Sequence, residues 1–196
     1  MIRSLRLALL AGLGLLALGS AARAEIDPLT RQPLVQYVDP AKAQATAIPR
    51  EIVDYPTKQR PGTIVIDSAE RRLYFVMADG KAMRYGVGVG RPGFDWAGTQ
   101  TISRKQEWPT WTPPASMLKR RPDLPRFMAG GPDNPMGARA LYLGSTVFRI
   151  HGTNQPETIG QAISSGCFRL ANGDIADLYD RVPVGTKVII RHKATL

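Results

Sequence analysis

The chain has 196 residues, two histidines, one cysteine and a formal net charge of +10. This length suits one domain with a sizeable core, and the lone cysteine excludes an internal disulfide. The basic residues are scattered, without a dense tract or an interleaved aromatic platform. The composition therefore argues against nucleic acid as a partner and favours an anionic polymer or a lipid surface.

The first 24 residues have the pattern of a secretory signal peptide. Arg3 and Arg6 precede an uncharged apolar run at residues 7–18, and Ala22-Arg23-Ala24 is a small-x-small cleavage site. The run is too short to span a bilayer comfortably, so an uncleaved anchor is the weaker alternative. We predict cleavage after Ala24, export across the inner membrane, and no transmembrane segment in the mature chain.

The segment after the predicted cleavage site, residues 25–60, is poor in aromatic residues and contains five prolines. We predict an extended arm or linker here, not a second domain. Three of the 26 basic residues and none of the 16 acidic ones lie in the first 24 residues. The mature chain therefore keeps a net charge of +7.

From residue 61 onward, short β-branched and aromatic runs alternate with turn signals. Strands are predicted at residues 63–67, 71–77, 82–89, 100–107, 108–112, 140–143, 147–150 and 187–191. Short helices are predicted at residues 115–120 and 174–181, with a long Pro- and Gly-rich loop at 121–138. We predict a mostly β domain over residues 61–191, a sandwich-like or barrel-like fold with a few short helices and a long capping loop, followed by a tail at 192–196.

Three alternating glycines, Gly86, Gly88 and Gly90, interrupt one predicted strand. No helix start follows them, as it would in a dinucleotide-binding loop. We interpret them as sites of close strand packing or bulges.

His151 and Cys167 are the candidate catalytic residues. His151 closes a predicted strand, which holds a general base rigidly at a surface. Cys167 follows Gly166 in a Ser-Ser-Gly turn, where successive backbone N–H groups can converge on an oxyanion. A thiol beside an imidazole is expected to titrate as a thiolate–imidazolium pair. The residues alone leave open a second interpretation, a buried inert thiol and a hydrogen-bonded histidine.

The sequence does not predict a metal or a cofactor. His192 lies in the C-terminal tail and is interpreted as a solvated surface residue. Together with His151 and Cys167 it lacks the paired spacing of zinc ligands.

Several ordered blocks resemble the L,D-transpeptidase family, whose catalytic domain is called YkuD. The most specific are Ile150-His151-Gly152-Thr153-Asn154 and residues 163–174, ISSGCFRLANGD. Further blocks that fit lie at residues 62–67, 85–90, 110–114, 134–138, 177–179 and 184–186. The resemblance covers about residues 60–191. Many members have His where this chain has Ser165, and Ile or Val where it has Phe168.

The resemblance implies the catalytic roles. Cys167 would be the nucleophile, His151 its base and later the acid, and the Gly152 carbonyl would orient the imidazole. Backbone N–H groups of Ser165, Gly166 and Cys167 would form the oxyanion hole. Since position 165 contributes its backbone, Ser in place of His is expected to be tolerated.

The resemblance also suggests substrate-binding residues. Arg169 would bind a substrate carboxylate or form a structural ion pair with Asp174, and both interpretations stay open. Met136 and Asn134, in the block at residues 134–138, are further candidates. Asn172 is predicted to be a turn residue that orders the loop before the second helix.

The implied donor is a peptidoglycan tetrapeptide stem, cleaved before its terminal D-Ala to give a thioester on Cys167. An amine of a second stem would then give a 3-3 cross-link, an amine of an outer-membrane protein would anchor that protein to the wall, and water would give L,D-carboxypeptidase activity. The alternatives are a non-catalytic peptidoglycan-binding module on the same fold and a thiol hydrolase with an unrelated substrate. The predicted location is the periplasm, in association with the cell wall.

Overall fold

The computed structural model describes residues 48–192. The predicted signal peptide at residues 1–24, the part of the predicted arm at residues 25–47, and the last four residues of the tail lie outside this range. Residues 48–60 of the predicted arm are described, and they contain the first strand of the sheet.

The described residues form eleven strands, two α-helices and one 3₁₀ turn. The strands are β1 (Glu51–Asp54), β2 (Ile64–Asp67), β3 (Arg72–Val76), β4 (Lys81–Gly86), β5 (Val89–Gly90), β6 (Gly98–Glu107), β7 (Arg139–Leu143), β8 (Arg149–His151), β9 (Ala162–Ser164), β10 (Phe168–Arg169) and β11 (Lys187–Arg191). The helices are α1 (Ala115–Arg120) and α2 (Asn172–Arg181), and the 3₁₀ turn is Pro156–Thr158. Within residues 48–192, neither helix has the length and apolar character that a membrane span requires.

Within the described range, nine strands form one sheet in the order β1-β4-β3-β2-β11-β6-β7-β8-β10, and β5 pairs with β9 separately. The last strand, β11, lies inside this sheet, parallel to β2 and antiparallel to β6. At one edge, β8 and β10 form a parallel pair. The sheet therefore depends on pairings between segments that are far apart in the sequence.

Apolar side chains cover both faces of this sheet. In β2, Ile64 and Ile66 are buried in the main core cluster, whereas Val65 packs into a smaller cluster. Alternate side chains of a strand point to opposite faces, so a strand that is buried throughout must be covered on both. Helix α2 adds Ile175 and Leu178 to the main cluster. The predicted mostly β fold with few short helices is confirmed.

The predicted strand at residues 108–112 is wrong. The pairing of β6 ends at Glu107, and Trp108 has a positive φ of 38°. Pro109 has no backbone N–H to donate to a neighbouring strand. In this segment of the described chain, the one β-type pairing is an isolated bridge between Trp111 and Met128.

The predicted strand at residues 82–89 is divided into β4 and β5. Gly88 leaves the pairing with β3 and exchanges two backbone hydrogen bonds with Arg169, at 2.8 and 2.9 Å. A Cβ added at Gly86 would lie 2.8 Å from the Ile48 Cβ, and the register of β5 shifts at Gly90. The glycines therefore mark close packing and a bulge, as the sequence predicted.

Candidate active site

The parallel pair β8 and β10 carries polar side chains on one face. Ile150 lies beside Phe168 in this pair, and both are buried in the core. Side chains alternate along a strand, so the residues on either side of them point the other way. The residues on that other face, which line a common cleft, are Arg149, His151, Cys167 and Arg169.

The cleft has a volume of about 400 Å³, within the range of small-ligand sites. One wall, the strand wall, comes from β8, β10 and the chain beside them, and it includes Val147, Phe148, Arg149, His151, Ile163, Ser164, Ser165, Cys167 and Arg169. A second wall, the loop wall, comes from residues 111–136 and includes Trp111, Pro114, Met117, Arg121, Leu124, Pro135 and Met136. The predicted capping loop thus borders the cleft.

His151 is 5% exposed, and its Nδ1 lies 2.7 Å from the Gly152 carbonyl oxygen. A carbonyl can only accept, so this contact places the ring proton on Nδ1 and makes Nε2 the nitrogen that can take a proton. The backbone of Met136 also hydrogen-bonds the imidazole. Burial lowers the pKa of His151 to about 4, opposed by the Gly152 carbonyl and assisted by the cations Arg169 and Arg149. The imidazole is therefore neutral at pH 7, as a general base must be.

Asn172 ties together the segments around the histidine. Its Oδ1 accepts hydrogen bonds from the backbone N–H groups of Ala138, at 3.0 Å, and Thr153, at 3.1 Å. A Cβ at either Gly137 or Gly152 would collide with this oxygen, so both positions require glycine. Asn172 is the first residue of α2, not a turn residue before it. It fixes the backbone that carries the Gly152 carbonyl, a role that sequence reasoning missed.

A network of hydrogen bonds fixes the turn before Cys167. The Ser164 hydroxyl donates to the Cys167 carbonyl, at 2.6 Å, and accepts from the Gly166 N–H, at 3.2 Å. The Trp96 indole N–H donates to the Gly166 carbonyl, at 2.9 Å. Gly166 has φ +106°, and a Cβ there would lie 2.5 Å from the Phe148 ring. Glycine is therefore required at this position.

These bonds change the expected oxyanion hole. The Gly166 N–H is already used by Ser164, whereas the N–H groups of Ser165 and Cys167 have no protein acceptor among the described residues. Two free donors on one turn are enough to bind a developing oxyanion. The N–H groups of Ser165 and Cys167 are therefore available for such a ligand, whereas that of Gly166 is occupied.

Burial acts against the expected thiolate–imidazolium pair. Burial raises the pKa of the Cys167 thiol, although the backbone N–H and side chain of Arg149 act to lower it. Burial lowers the pKa of His151 as well, so it disfavours the charged form of both groups. The arrangement suits proton transfer from sulfur to imidazole as the sulfur attacks, instead of a preformed ion pair.

Ser165, where many family members have His, lines the cleft. Its hydroxyl accepts a hydrogen bond from Arg91 Nη1 at 3.1 Å, and the Arg91 guanidinium stacks on the Phe94 ring at 3.9 Å. The side chain at this position is thus held by an arginine that the sequence did not single out.

Arg169 does not pair with Asp174, which corrects one of the two interpretations. Asp174 bonds instead to Arg50, at 3.0 Å. Arg169 faces the cleft beside Cys167, which leaves its expected role as a carboxylate ligand open. Arg149, which shares this wall, was not identified from the sequence.

The two remaining substrate-binding candidates have different positions. Met136 lines the cleft. Asn134 is 1% exposed, and its side chain bonds within the loop, to the Ala129 carbonyl at 2.8 Å and the Met136 N–H at 2.8 Å. Asn134 is therefore an organiser of the loop and not a substrate contact, because its polar atoms are already occupied.

His192, which the sequence predicts to be a solvated surface residue, is partly exposed and contacts a carboxylate. Its Nε2 lies 3.2 Å from an Asp95 carboxylate oxygen, and the side chain is 40% exposed. Within residues 48–192, no three His, Cys, Asp or Glu side chains are grouped so that they could hold a metal ion.

Comparison with known proteins gives consistent results. The family model of the L,D-transpeptidase catalytic domain, YkuD, matches residues 61–190. A probable L,D-transpeptidase of Escherichia coli K12, ErfK/SrfK, is 42% identical over 160 residues, which are 77% of this chain and 50% of that protein. The chain thus spans about half the length of the curated relatives it matches.

Solved structures also resemble the chain. The catalytic domain of the Enterococcus faecium L,D-transpeptidase, acylated by ertapenem, matches with TM-score 0.51 and 19% identity, over 66% of this chain and 95% of that one, which supports the fold. A Brucella melitensis protein, described as a probable carnitine operon oxidoreductase, is 44% identical with TM-score 0.50, over 78% of this chain and 99% of that one. The match of the catalytic-domain model over residues 61–190 shows that the chain belongs to the L,D-transpeptidase (YkuD) family.

Proposed function

We propose that this protein is a cysteine L,D-transpeptidase that acts on peptidoglycan tetrapeptide stems through a thioester on Cys167. The observation that carries the proposal is the parallel pairing of β8 and β10. It places a neutral His151, oriented by the Gly152 carbonyl at 2.7 Å, on the same cleft wall as Cys167. Nucleophile, base and orienting acceptor are the three parts that acyl transfer needs.

In the first half-reaction, His151 takes the thiol proton as the Cys167 sulfur attacks the carbonyl of the third residue of the stem, the diamino acid that precedes D-Ala. A C–S bond forms, and the N–H groups of Ser165 and Cys167 hold the oxyanion. The amide bond then breaks, and His151 gives its proton to the amine of the departing D-Ala.

In the second half-reaction, an acceptor amine attacks the thioester and loses a proton to His151. The C–S bond breaks, and the proton returns to the sulfur. The acceptor decides the product: a second stem gives a 3-3 cross-link, an outer-membrane protein becomes attached to the wall, and water gives L,D-carboxypeptidase activity.

The test is mass analysis of muropeptides after incubating the mature protein with tetrapeptide-rich sacculi. We expect new cross-linked species, or tripeptides if water is the acceptor, and neither with Cys167→Ala. Ertapenem should add its mass to the wild-type protein and not to this variant. Retention on sacculi without new muropeptides or an adduct would instead identify a non-catalytic wall-binding module.

We also propose export to the periplasm, on the strength of the signal-peptide pattern at residues 1–24. Intact-mass measurement of the protein recovered from the periplasmic fraction should give a chain that begins at Glu25. Recovery of the full-length chain in the cytoplasmic fraction would contradict this.

A further inference from the structure

Two arginines flank the candidate nucleophile on the strand wall. In the register of β10 with β8, Arg169 lies beside His151, and Phe168 lies beside Ile150. Arg149 and Cys167 each come one residue before the core-facing pair Ile150 and Phe168, so they also lie side by side. Both side chains line the cleft and are partly buried. Their positions follow from the strand pairing and are therefore rigid.

Part of each guanidinium group lacks an acceptor in the described part of the chain, although the Arg149 side chain also hydrogen-bonds the Cys167 thiol. The Nε of Arg149 and the Nε and Nη2 of Arg169 are buried without a hydrogen-bond partner, and neither residue forms an ion pair within residues 48–192. Other arginines of the domain have carboxylate partners; Arg50, Arg139 and Arg181 are examples. Burying cationic donors without an acceptor is costly unless a ligand supplies one.

The ligand that fits is a carboxylate. Planar guanidinium groups bind carboxylates through two parallel hydrogen bonds. The thiol of Cys167 becomes a neutral thioester on acylation and then offers no negative charge. In the proposed reaction, the carboxylate of the departing residue lies three bonds from the carbonyl carbon that the sulfur attacks, so it comes to the same part of the cleft.

We propose that Arg149 and Arg169 form a carboxylate subsite beside Cys167, which holds the C-terminal carboxylate of the residue that leaves in acyl transfer. The identity of this ligand rests on the proposed function. The subsite would restrict cleavage to a bond before a terminal residue, because an internal residue has no carboxylate to offer. Arg149 is thus assigned a role in substrate selection.

Alkylation of Cys167 tests the subsite without a peptide substrate. Iodoacetate and iodoacetamide each form an S–CH₂ bond and release iodide, and they differ in carrying a carboxylate or an amide. Because both react with the same sulfur, the ratio of their rate constants cancels any change in thiol reactivity. We expect the iodoacetate-to-iodoacetamide ratio to fall about tenfold in Arg149→Gln, the loss expected for a charge-assisted bond.

Two further variants serve as comparisons: Arg149→Lys retains the charge, and Arg104→Gln is a control outside the cleft. Lysine keeps the charge without the planar fork, so the ratio should fall between those of wild type and Arg149→Gln. Arg104 stacks on the Tyr142 ring at 3.7 Å, as Arg149 does at 5.2 Å, but does not line the cleft, and its replacement should leave the ratio unchanged. An unchanged ratio in both Arg149 variants would overturn the proposal. Far-UV circular dichroism shows whether each variant is folded.

Donor peptides that end in D-Ala or in D-Ala amide separate the subsite from the function. Wild type should prefer the free acid, and Arg149→Gln should lose that preference. If neither peptide is turned over while the alkylation ratio still falls in Arg149→Gln, the proposed function fails and the anion subsite stands. If peptides are turned over but the preference survives in Arg149→Gln, the function stands and the subsite assignment is wrong.

Discussion

The two walls of the cleft are built in different ways. On the strand wall, Cys167 and His151 are placed by strand register, with Ile150 and Phe168 buried in the core behind them. The loop wall, in contrast, contains one short helix and one isolated bridge, and the side chain of Asn134 holds its backbone together.

This difference suggests that the strand wall positions the candidate catalytic side chains, whereas the loop wall serves to bind the substrate. Register and core packing allow few alternative arrangements, so the reacting groups are held rigidly. A wall held by a few side-chain hydrogen bonds can open and close around a ligand at lower cost. Changes on the strand wall should therefore affect rate constants, whereas changes on the loop wall should affect substrate binding.

The largest effect is expected at the base. His151→Gln should slow acylation by ertapenem about 100- to 10,000-fold, because the thiol then has no group to take its proton. Intact-mass time courses measure this rate. A rate within threefold of wild type would show that His151 is not the base.

Asn172→Ala should lower the free energy of unfolding by about 4 kcal/mol, since the buried N–H groups of Ala138 and Thr153 lose their acceptor. Urea unfolding followed by fluorescence measures this. Acylation should also slow, because the Gly152 carbonyl that orients His151 is no longer fixed. A loss below about 1 kcal/mol would contradict the role of Asn172 as a structural hub.

Acid should destabilise the protein through His151. The unfolded chain binds a proton near pH 6.5, whereas the folded chain does so only near pH 4, because burial lowers the pKa. The contribution is complete above pH 6.5 and is lost as the pH falls towards 4, a change of about 3 kcal/mol. Urea unfolding at several pH values should show this loss in wild type and lack it in His151→Gln. Equal losses in the two proteins would contradict it.

Asn134→Ala tests the loop wall. It removes the bonds to the Ala129 carbonyl and the Met136 N–H, so the loop should loosen and KM for a donor peptide should rise about tenfold. Alkylation of Cys167 by iodoacetamide should change less than twofold, because the strand wall keeps its register. A larger effect on alkylation than on KM would break the distinction between the walls.

The smallest effect is expected at Ser165. Replacement by His or Ala keeps the backbone N–H that we propose as an oxyanion donor and removes only the acceptor for Arg91. Acylation should stay within about threefold of wild type for both variants. A gain of tenfold or more in Ser165→His would show that the native residue limits the enzyme.

Local patterns predicted the helix at residues 115–120 and most strand positions, because they depend on side-chain type and spacing. The blocks around His151 and Cys167 also identified the family. The failures have local causes: Pro109 and the positive φ of Trp108 ended β6, and Gly88 changed the strand partner.

The sequence by itself therefore determined the fold class, the family and the identities of the cysteine and histidine. Only the tertiary structure decided which groups surround them. In the folded chain, the Asn134 side chain bonds within the loop, and Asn172 holds the backbone next to Gly152. Arg149 lies beside Cys167 on the cleft wall. The physical reason is that strand pairing joins residues 149–151 and 168–169 across the 3₁₀ turn and β9, and no short-range pattern encodes which backbone groups or charges then become neighbours.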